Sequence, residues 1–359
     1  MNSAQLMFEK SIQICPKDVS SHNNLSGILK EMGKYNEAEA ILNKCLEIDQ
    51  YNSTTFHNLG NILIFQGKLD RAEFILKQAL LINQNDQTAY LNLGTVMWLL
   101  GKIEEAIKFT LKSIEIKSDN PMAYCNLGNL FRISGNYEKA IRNFKKGLDV
   151  NKNSSLAKCG LLKSKGIICD WNNYDIDVNW INDLGLKGEP VDPYLFLLYD
   201  DNPINNFKRA KRYATKSLQR KELVKLKNTN EEKIKVGYFS ADFRDHPVTH
   251  MMLSFLELHN KNKFEIFLYS FTSQEDCYTK ILKNLGFNFI DIKKLNILEI
   301  VKLVRSENLN IAIDLMGYTD NNRAEIFRRR IAPIQINYLG FPGTLGSKSY
   351  DFIVGDKIV

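Results

Sequence analysis

The stretch KIKVGYFSADFRDHPVTHMM, residues 233–252, decides the fold of the second half of the chain. It opens with an apolar, β-branched run that is typical of a buried strand, stops at SADFRDHP and resumes with a helical pattern. Pro247 suits the first position of that helix. Two of the five histidines, His246 and His250, lie at the junction. The stretch therefore predicts a strand–loop–helix unit with histidines at its turn.

The same alternation of strand and helix continues to the end of the chain. Further strands are predicted by five apolar runs, at residues 264–271, 287–292, 310–318, 333–341 and 350–356. Strands that alternate with helices of about 12 residues indicate a parallel sheet with helices on both faces. Residues 233–359 are therefore predicted to form an α/β, Rossmann-like domain.

Three loops of this domain are expected to meet at one edge of the sheet, where open α/β sheets bind their ligands. They follow the first, fourth and fifth predicted strands, at residues 241–250, 316–323 and 340–347. The last loop has three glycines, whose bare backbone can approach a ligand and present N–H groups to it. It lacks the common phosphate-loop patterns, so an ordinary tight turn remains the alternative.

The two histidines of the first loop are candidate site residues. A histidine can serve as a general acid or base near neutral pH, and His246 follows the carboxyl end of a strand. The alternative is a helix-entry residue whose ring packs or caps. His250 lies one turn inside the predicted helix and is expected to face the same cleft.

The first half of the chain is a 34-residue unit copied several times. Three sets of positions keep this interval: Leu25, Leu59, Leu93 and Leu127; Gly33, Gly67, Gly101 and Gly135; Ala38, Ala72, Ala106 and Ala140. Each unit has a helical apolar pattern, a glycine that permits a left-handed turn, and a second helical pattern. The period resembles the tetratricopeptide repeat, whose helix pairs stack into a solenoid because one pair cannot bury its own apolar face.

The repeat boundaries divide the chain into three predicted segments. Half a unit at 1–19 and four units at 20–53, 54–87, 88–121 and 122–155 form the solenoid. Because a solenoid usually begins with a polar cap, further repeats upstream or a start codon assigned late are expected. The period then breaks, so residues 156–232 are predicted to be a helical connector to the α/β domain at 233–359.

One polar position also recurs at the repeat interval, on the first helix of each unit. It is occupied by Asn24, Asn58, Asn92 and Asn126. A side-chain amide both donates and accepts hydrogen bonds, so a ladder of amides could hold an extended polypeptide without reading much of its sequence. The alternative is that these asparagines bond within the solenoid and tie one helix to the next.

Composition excludes several classes of protein. The chain has 44% hydrophobic and 25% charged residues and a net charge of +7, which is ordinary for a globular protein. No apolar run approaches the ~18 residues that span a bilayer, and no signal peptide is recognisable. None of the six cysteines forms a CxxC pair, so they are expected to be isolated buried thiols in a reducing compartment. We expect a cytoplasmic protein without metal, membrane or nucleic-acid partners.

Several stretches together resemble the O-linked N-acetylglucosamine transferase family, also called the SPINDLY-like family. They are the asparagine-bearing repeats, CDW at 169–171, VGYFSADFRDHPVTHMM at 236–252, DLMGYTDNNRAEIFRRRIAPIQINYLGFPGTLG at 314–346 and YDFIVGD at 350–356. The repeats alone are unspecific, whereas FSADFRDHPVTH at 239–250 and RRRIAPIQINYLGFPGTLG at 328–346 are highly specific. The resemblance implies a GT-B fold, with two Rossmann-like lobes across a cleft, of which the first begins near Lys233.

The resemblance also implies a function and site residues. The function is transfer of a sugar from a UDP-sugar to serine or threonine hydroxyls of proteins, without a metal or other cofactor. The family's HP histidine falls on His246, and its donor-facing GFPGT loop on Gly340, Pro342, Gly343 and Thr344. The asparagine ladder would hold the acceptor polypeptide. A second cleft histidine of animal members is replaced here by Asn310.

Two expectations follow from where the resemblance stops. The family's second lobe would follow Val359, and half a cleft cannot stabilise donor diphosphate charge or align the reactants. The isolated chain is therefore expected to be inactive. The alternatives are a peptide-binding repeat scaffold without catalysis, and a small-molecule-binding Rossmann-like protein. The last would need a glycine-rich loop after the first strand, and SADFRDHP at 240–247 has no glycine.

Overall fold

The computed structural model describes residues 2–172, 180–216, 226, 232–272 and 274–355. The chain divides into two compact units between residues 174 and 175. The first unit is helical and the second contains a parallel sheet. The predicted fold class, a tetratricopeptide-repeat solenoid followed by a Rossmann-like parallel sheet, is confirmed.

Ten α-helices, α1 to α10, are described in the first unit. Their bounds are Asn2–Ile14, Val19–Glu31, Tyr35–Ile48, Ser53–Phe65, Leu69–Ile82, Gln87–Leu99, Ile103–Ile116, Pro121–Ile133, Tyr137–Val150 and Ser155–Ile167. From α2 onwards they pair as first and second helices of a repeat. Even-numbered helices are first helices, and each packs against the helix before and after it.

The ends of these helices recur at the repeat interval, as the sequence pattern predicts. Side chains at the residue before each first helix accept a backbone N–H bond and so satisfy one free donor of the helix start; they are Asp18, Asn52, Asp86, Asn120 and Ser154. The four predicted glycines have φ between 70° and 78°. This left-handed backbone ends each first helix and favours glycine.

In each repeat one buried side chain of the second helix packs against the first helix, and we call this side chain the plug. The plug positions keep the repeat interval and are occupied by Leu42, Leu76, Thr110 and Phe144, all 0–1% exposed. From the second of these repeats onward, the plug lies against a glycine of the first helix; the pairs are Gly60–Leu76, Gly94–Thr110 and Gly128–Phe144. A Cβ at Gly60 would lie 2.5 Å from Leu76 Cγ. The glycine therefore makes room for the plug.

The solenoid extends further than the sequence pattern predicted. Helix α10 begins with the cap Ser154, and Leu161 continues the leucine spacing at 5% exposure. Cys169 lies one full repeat after Gly135 and has the same left-handed backbone, with φ of 53°. The sequence pattern ended the repeats at residue 155, because a cysteine occupies the position where the earlier repeats have glycine.

The second unit contains a six-stranded parallel sheet in the order β3-β2-β1-β4-β5-β6. The strands β1 to β6 are Ile234–Ser240, Phe264–Ser270, Asn288–Asp291, Ile311–Asp314, Ile334–Tyr338 and Phe352–Val354. The helices α11 to α15 are Pro203–Lys216, Pro247–Glu257, Cys277–Asn284, Ile297–Ser306 and Ala324–Arg328, and a 3₁₀ helix spans Pro193–Leu198. All six predicted strands are present, with shorter bounds.

The sheet has an apolar core on each face. Along β1, Tyr238 joins a cluster with Met252 and Leu256 of α12, whereas Phe239 joins a cluster with Ile300 and Val304 of α14. Alternate side chains of a strand point to opposite faces. Helices therefore cover both faces of the sheet, as the alternation of strands and helices predicted.

The predicted connector, residues 156–232, is not a separate segment. Its first part belongs to the solenoid unit, and residues 180–216 belong to the sheet unit. Arg209 of α11 is fully buried, bonds Asp200 at 2.5 Å and stacks on the ring of Phe196 at 4.2 Å. Residues 217–225 and 227–231 lie outside the described residues. The structure thus divides the chain into two compact units and shares the predicted connector between them.

The cysteines differ from expectation. Cys45 and Cys125 are buried, but Cys15, Cys169 and Cys277 are exposed. Expecting buried thiols throughout was wrong, because spacing alone does not say on which face of a helix a cysteine lies. Within the described residues, no helix is long and apolar enough to cross a membrane. No cluster of three or more histidine, cysteine, aspartate or glutamate residues there could hold a metal ion.

Candidate functional site

Three loops lie at the carboxyl edge of the sheet, and we call them together the rim. They follow β1, β4 and β5, at residues 241–246, 315–323 and 339–349, and these strands are neighbours in the sheet. Successive strands are added on one side of β1 and then, from β4, on the other. This reversal is the topological switch point at which open α/β sheets bind ligands. The structure thus places the three predicted loops on one edge.

The loops after β4 and β5 are locked together by the protein itself. A Cβ at Gly340 would overlap the carbonyl oxygen of Leu315, and one at Gly317 would overlap Phe341. The hydroxyl of Tyr318 donates to the carbonyl of Leu345 at 2.8 Å. The glycine at position 340 is therefore required by a close approach of two loops of the chain.

The glycine-rich loop does not offer the open backbone that the sequence suggested. A Cβ at Gly343 would lie 2.9 Å from the Phe341 ring, and one at Gly346 would overlap the backbone of Lys211 in α11. Pro342 and Thr344 are exposed. The side chains of Pro342 and Thr344, rather than bare glycine backbone, are thus the parts of this loop presented to solvent.

His246 occupies the cap position of α12. Its Nδ1 accepts the backbone N–H of Val248 at 3.3 Å, and Asp242 Oδ2 lies 3.6 Å from the same nitrogen. A neutral ring whose Nδ1 accepts carries its proton on Nε2. The side chain is 33% exposed. His246 is therefore a helix cap whose partly exposed ring lies at the rim.

His250 pairs with the loop after β1 and contacts α13. Its Nε2 is 2.8 Å from Asp245 Oδ1, and its ring centroid lies 4.6 Å from that of Tyr278 in α13. Helix α13 follows β2, on the opposite side of β1 from β4. That His250 shares a cleft with the turn at Pro342 stays a prediction.

Asp314, which sequence reasoning missed, is a buried carboxylate at the carboxyl end of β4. It accepts the N–H groups of Met316 and Gly317 at 2.9 and 3.2 Å and the hydroxyl of Tyr350 at 2.5 Å. Burial raises the pKa of Asp314 to about 6, despite these bonds. The available signal was an aspartate that ends the apolar run IAID at residues 311–314.

The pair of Asp314 and Tyr350 ties the end of β4 to the start of β6. Burial raises the pKa of Tyr350 well above its usual value, so its hydroxyl keeps the proton that it donates. Asn337 of β5 lies beside Asp314 in the sheet and donates to its backbone carbonyl at 3.3 Å. The hydrogen bonds of Asp314, Tyr350 and Asn337 therefore hold the start of the loop after β4 in place.

The asparagine ladder lies on the first helices of the solenoid, and two of its members have partners there. Asn58 donates to Asn23 Oδ1 of the preceding first helix at 2.8 Å, and Asn61 donates to Asn92 Oδ1 at 3.5 Å. Asn24 is exposed and Asn126 is half-buried. Ties between neighbouring first helices therefore account for part of the ladder.

Comparison with protein families decides the class of the molecule. The model of glycosyl transferase family 41 matches residues 168–359, which is more than half of the chain. The chain belongs to glycosyl transferase family 41. Tetratricopeptide-repeat models match residues 18–85, 87–120 and 121–154 of this family-41 chain. These matches confirm the resemblance found in the sequence.

Two curated relatives of the family-41 chain are named as glycosyltransferases. The SEC protein of Arabidopsis thaliana, named a probable UDP-N-acetylglucosamine–peptide N-acetylglucosaminyltransferase, is 34% identical over 129 residues, covering 36% of this chain and 13% of its own length. The UDP-N-acetylglucosamine–peptide N-acetylglucosaminyltransferase of Caenorhabditis elegans is 30% identical over 211 residues, covering 54% and 18%. The chain thus spans less than a fifth of either relative.

A solved structure is also similar to the chain. It is a mutant of the Thermobaculum terrenum O-GlcNAc transferase, at 21% identity and a TM-score of 0.49. The similarity covers 85% of this chain and 54% of that one.

Proposed function

We propose that this family-41 chain contributes the acceptor groove and the first Rossmann-like lobe of a protein O-glycosyltransferase. The enzyme would transfer a sugar from a UDP-sugar to serine and threonine hydroxyls. The observation that carries the proposal is the family-41 match over residues 168–359, the unit whose rim presents His246. The names of the two relatives support the donor and the polypeptide acceptor.

In this proposal His246 acts as a hydrogen-bond donor at the rim. Transfer breaks the bond between the sugar and the diphosphate, so negative charge develops on the departing phosphate oxygen and must be stabilised. With Nδ1 accepting the N–H of Val248, His246 presents N–H at Nε2. To act as a base through Nε2, the ring would have to protonate Nδ1 and give up the cap. We therefore assign His246 to stabilising the departing diphosphate of the UDP-sugar, rather than to deprotonating the acceptor hydroxyl.

The other parts of the proposal concern the loop after β5 and the solenoid. Pro342 and Thr344 are exposed at the rim and would line the donor site. The ladder amides of Asn24 and Asn126 would hold acceptor backbone, with Asn58 and Asn92 held in place by their neighbours. We place the reaction in the cytoplasm and without a metal; the six cysteines are free thiols, which suits a reducing compartment.

Donor binding is tested by photolabelling the purified chain with a UDP-N-acetylglucosamine analogue that carries a diazirine on its acyl group. Mass spectrometry is expected to find label in residues 241–246 and 340–344, suppressed by unlabelled UDP-N-acetylglucosamine. Label that is scattered, or that does not respond to the competitor, would overturn the donor assignment.

A repeat scaffold without catalysis is the second candidate, because the rim glycines pack against the chain itself. It predicts binding of extended peptides together with no competed donor label. Competed donor labelling and peptide binding, both measured on the same preparation, separate the two candidates, because only the glycosyltransferase predicts both.

A further inference from the structure

The plug of the third repeat is smaller than those of its neighbours. Leu42, Leu76 and Phe144 fill this position in the other repeats, whereas the third repeat has Thr110. The Thr110 hydroxyl donates to the carbonyl of Ala106, one turn back in its own helix, at 2.8 Å. A threonine side chain is shorter than leucine or phenylalanine, so less of the space between the two first helices is filled.

A shallow cleft that is open to solvent lies above this small plug. Its floor is formed by Gly94 and Thr110, one wall by Trp98 of α6, and the other by Asn126 and Asn129 of α8. The cleft lies between two neighbouring first helices, on the surface that carries the asparagine ladder. It therefore lies within the proposed acceptor groove.

The wall residue Trp98 is also an exception to the repeat. The equivalent residues of the repeats before and after it are Ile64 and Arg132. The Trp98 side chain is 42% exposed, and an exposed indole beside a cleft offers a large apolar contact area. The same repeat therefore carries both a shortened plug and an enlarged apolar wall.

The position of Asn126 links the cleft to the ladder. Asn126 is a ladder residue and also forms a wall of the cleft. A polypeptide whose backbone bonds this amide would place a neighbouring side chain over the cleft. The floor and the Trp98 wall suit an apolar side chain, and the two amides suit the peptide groups on either side of it.

We propose that this cleft, between α6 and α8, binds one apolar side chain of the acceptor polypeptide and so selects acceptors that carry such a residue. The inference rests on the proposed function, because it takes the ladder surface to be the acceptor groove. It adds a sequence preference that the amide ladder cannot supply, since side-chain amides bond any backbone.

The test measures peptide binding to the full chain by fluorescence anisotropy. Two fluorescein-labelled peptides of equal length, built from serine, threonine and glycine, differ only at the centre, where one has phenylalanine and the other alanine. The phenylalanine peptide is expected to bind about 10-fold more tightly, because the cleft buries part of its ring.

Variants at the plug decide whether the cleft causes this preference. Thr110→Leu places in the third repeat the residue that fills the same position at 42 and 76, so its fold has a precedent within the chain. It is expected to reduce the preference to about 1-fold. Thr110→Val keeps the volume and removes the hydroxyl, so its preference is expected to match that of the unmodified chain. Trp98→Ala is expected to lower the preference several-fold.

The possible outcomes separate the cleft from the groove. If the two peptides bind equally, or if the preference survives Thr110→Leu, the proposal that the cleft selects an apolar side chain is wrong. The proposal that the groove binds polypeptide is then unaffected. Failure of both peptides to bind overturns the cleft and the groove together. Thermal unfolding of each variant, followed by circular dichroism, shows that Thr110→Leu is folded when its preference is measured.

Discussion

His246 uses its two ring nitrogens for different purposes. Nδ1 caps α12 by accepting the N–H of Val248, and Nε2 takes no part in this bond. Sequence reasoning offered a cap and a functional residue as alternatives, but the geometry allows both at once. Substitutions that keep one nitrogen's role and remove the other can therefore separate them.

Two substitutions of His246 are expected to separate capping from donor binding. Asparagine is among the best cap residues, so His246→Asn should leave the free energy of unfolding nearly unchanged, whereas His246→Ala should lose about 1 kcal/mol. Both variants lack Nε2 and should lose competed photolabelling by the UDP-N-acetylglucosamine analogue. Urea unfolding and photolabelling measure the two effects. Full labelling in His246→Asn would contradict the assignment of His246 to the donor site.

Asp314 should make the sheet unit less stable as the pH rises. Its pKa in the folded protein, about 6, lies above the ordinary value of 3.8. Its stabilising contribution is therefore complete below about pH 4 and is lost as the pH rises to about 6 and beyond, by roughly 3 kcal/mol. Asp314→Asn should flatten this part of the profile. Urea unfolding between pH 4 and pH 7 measures the free energy of unfolding of both proteins. If Asp314→Asn shows the same dependence on pH as the unmodified chain, Asp314 is not the group responsible.

At the scale of elements, the rim is shaped by contacts between loops. Gly340→Ala should destabilise the sheet unit by about 3 kcal/mol, because the new Cβ would overlap the Leu315 carbonyl and force the loops after β4 and β5 apart. Gly27→Ala is the matched control: it lies inside α2, and nothing is within 4 Å of the added carbon. The control should gain about 0.5 kcal/mol. Chemical denaturation compares the two.

Most elements of this chain could be predicted from its sequence because their patterns are local. Strand periodicity located all six strands, and the repeat spacing located the helix pairs, since both depend on residues close in the chain. Helix α10 was predicted as helical but not as part of the repeats, because Cys169 occupies the position where the earlier repeats have glycine. A repeat pattern that is recognised by its glycines does not detect a repeat in which another residue adopts the left-handed conformation.

The site was predicted less completely, because its contacts join distant residues. Topology placed His246 and the loop at Pro342 on one edge of the sheet, as the rule for parallel strands predicted. The sequence could not show that His250 pairs with Asp245, nor that Tyr350 bonds Asp314 from the segment before β6. These side chains are directed by packing between separate elements, which periodicity does not describe.

At the scale of the whole molecule, the two units should respond to pH in opposite ways. In the solenoid, Asp86 caps α6 and also accepts hydrogen bonds from His57 at 2.8 Å and Ser53 at 2.7 Å. Burial opposes ionisation of Asp86, but these bonds outweigh it and lower its pKa. This stability is present above the ordinary pKa of 3.8 and is lost as the pH falls through the lower folded value.

Substitution of Asp86 should destabilise the solenoid more than loss of a cap alone. Asp86→Ala removes both the cap and the bonds to the preceding first helix, so a loss of about 2 kcal/mol is expected near pH 7. Asn120→Ala, which removes a cap at the same position of the next repeat, should lose about 1 kcal/mol. Hydrogen exchange read by mass spectrometry reports each unit separately. Equal losses would show that the bonds of His57 and Ser53 contribute nothing.

The shortened plug at Thr110 has a consequence for the solenoid as a periodic object. A groove built from identical repeats offers a bound strand several registers, each displaced from the next by one repeat. All of these registers would have the same binding free energy. One step that differs from the others removes this translational degeneracy. The third repeat would then fix the register in which the whole of a bound strand lies along the groove.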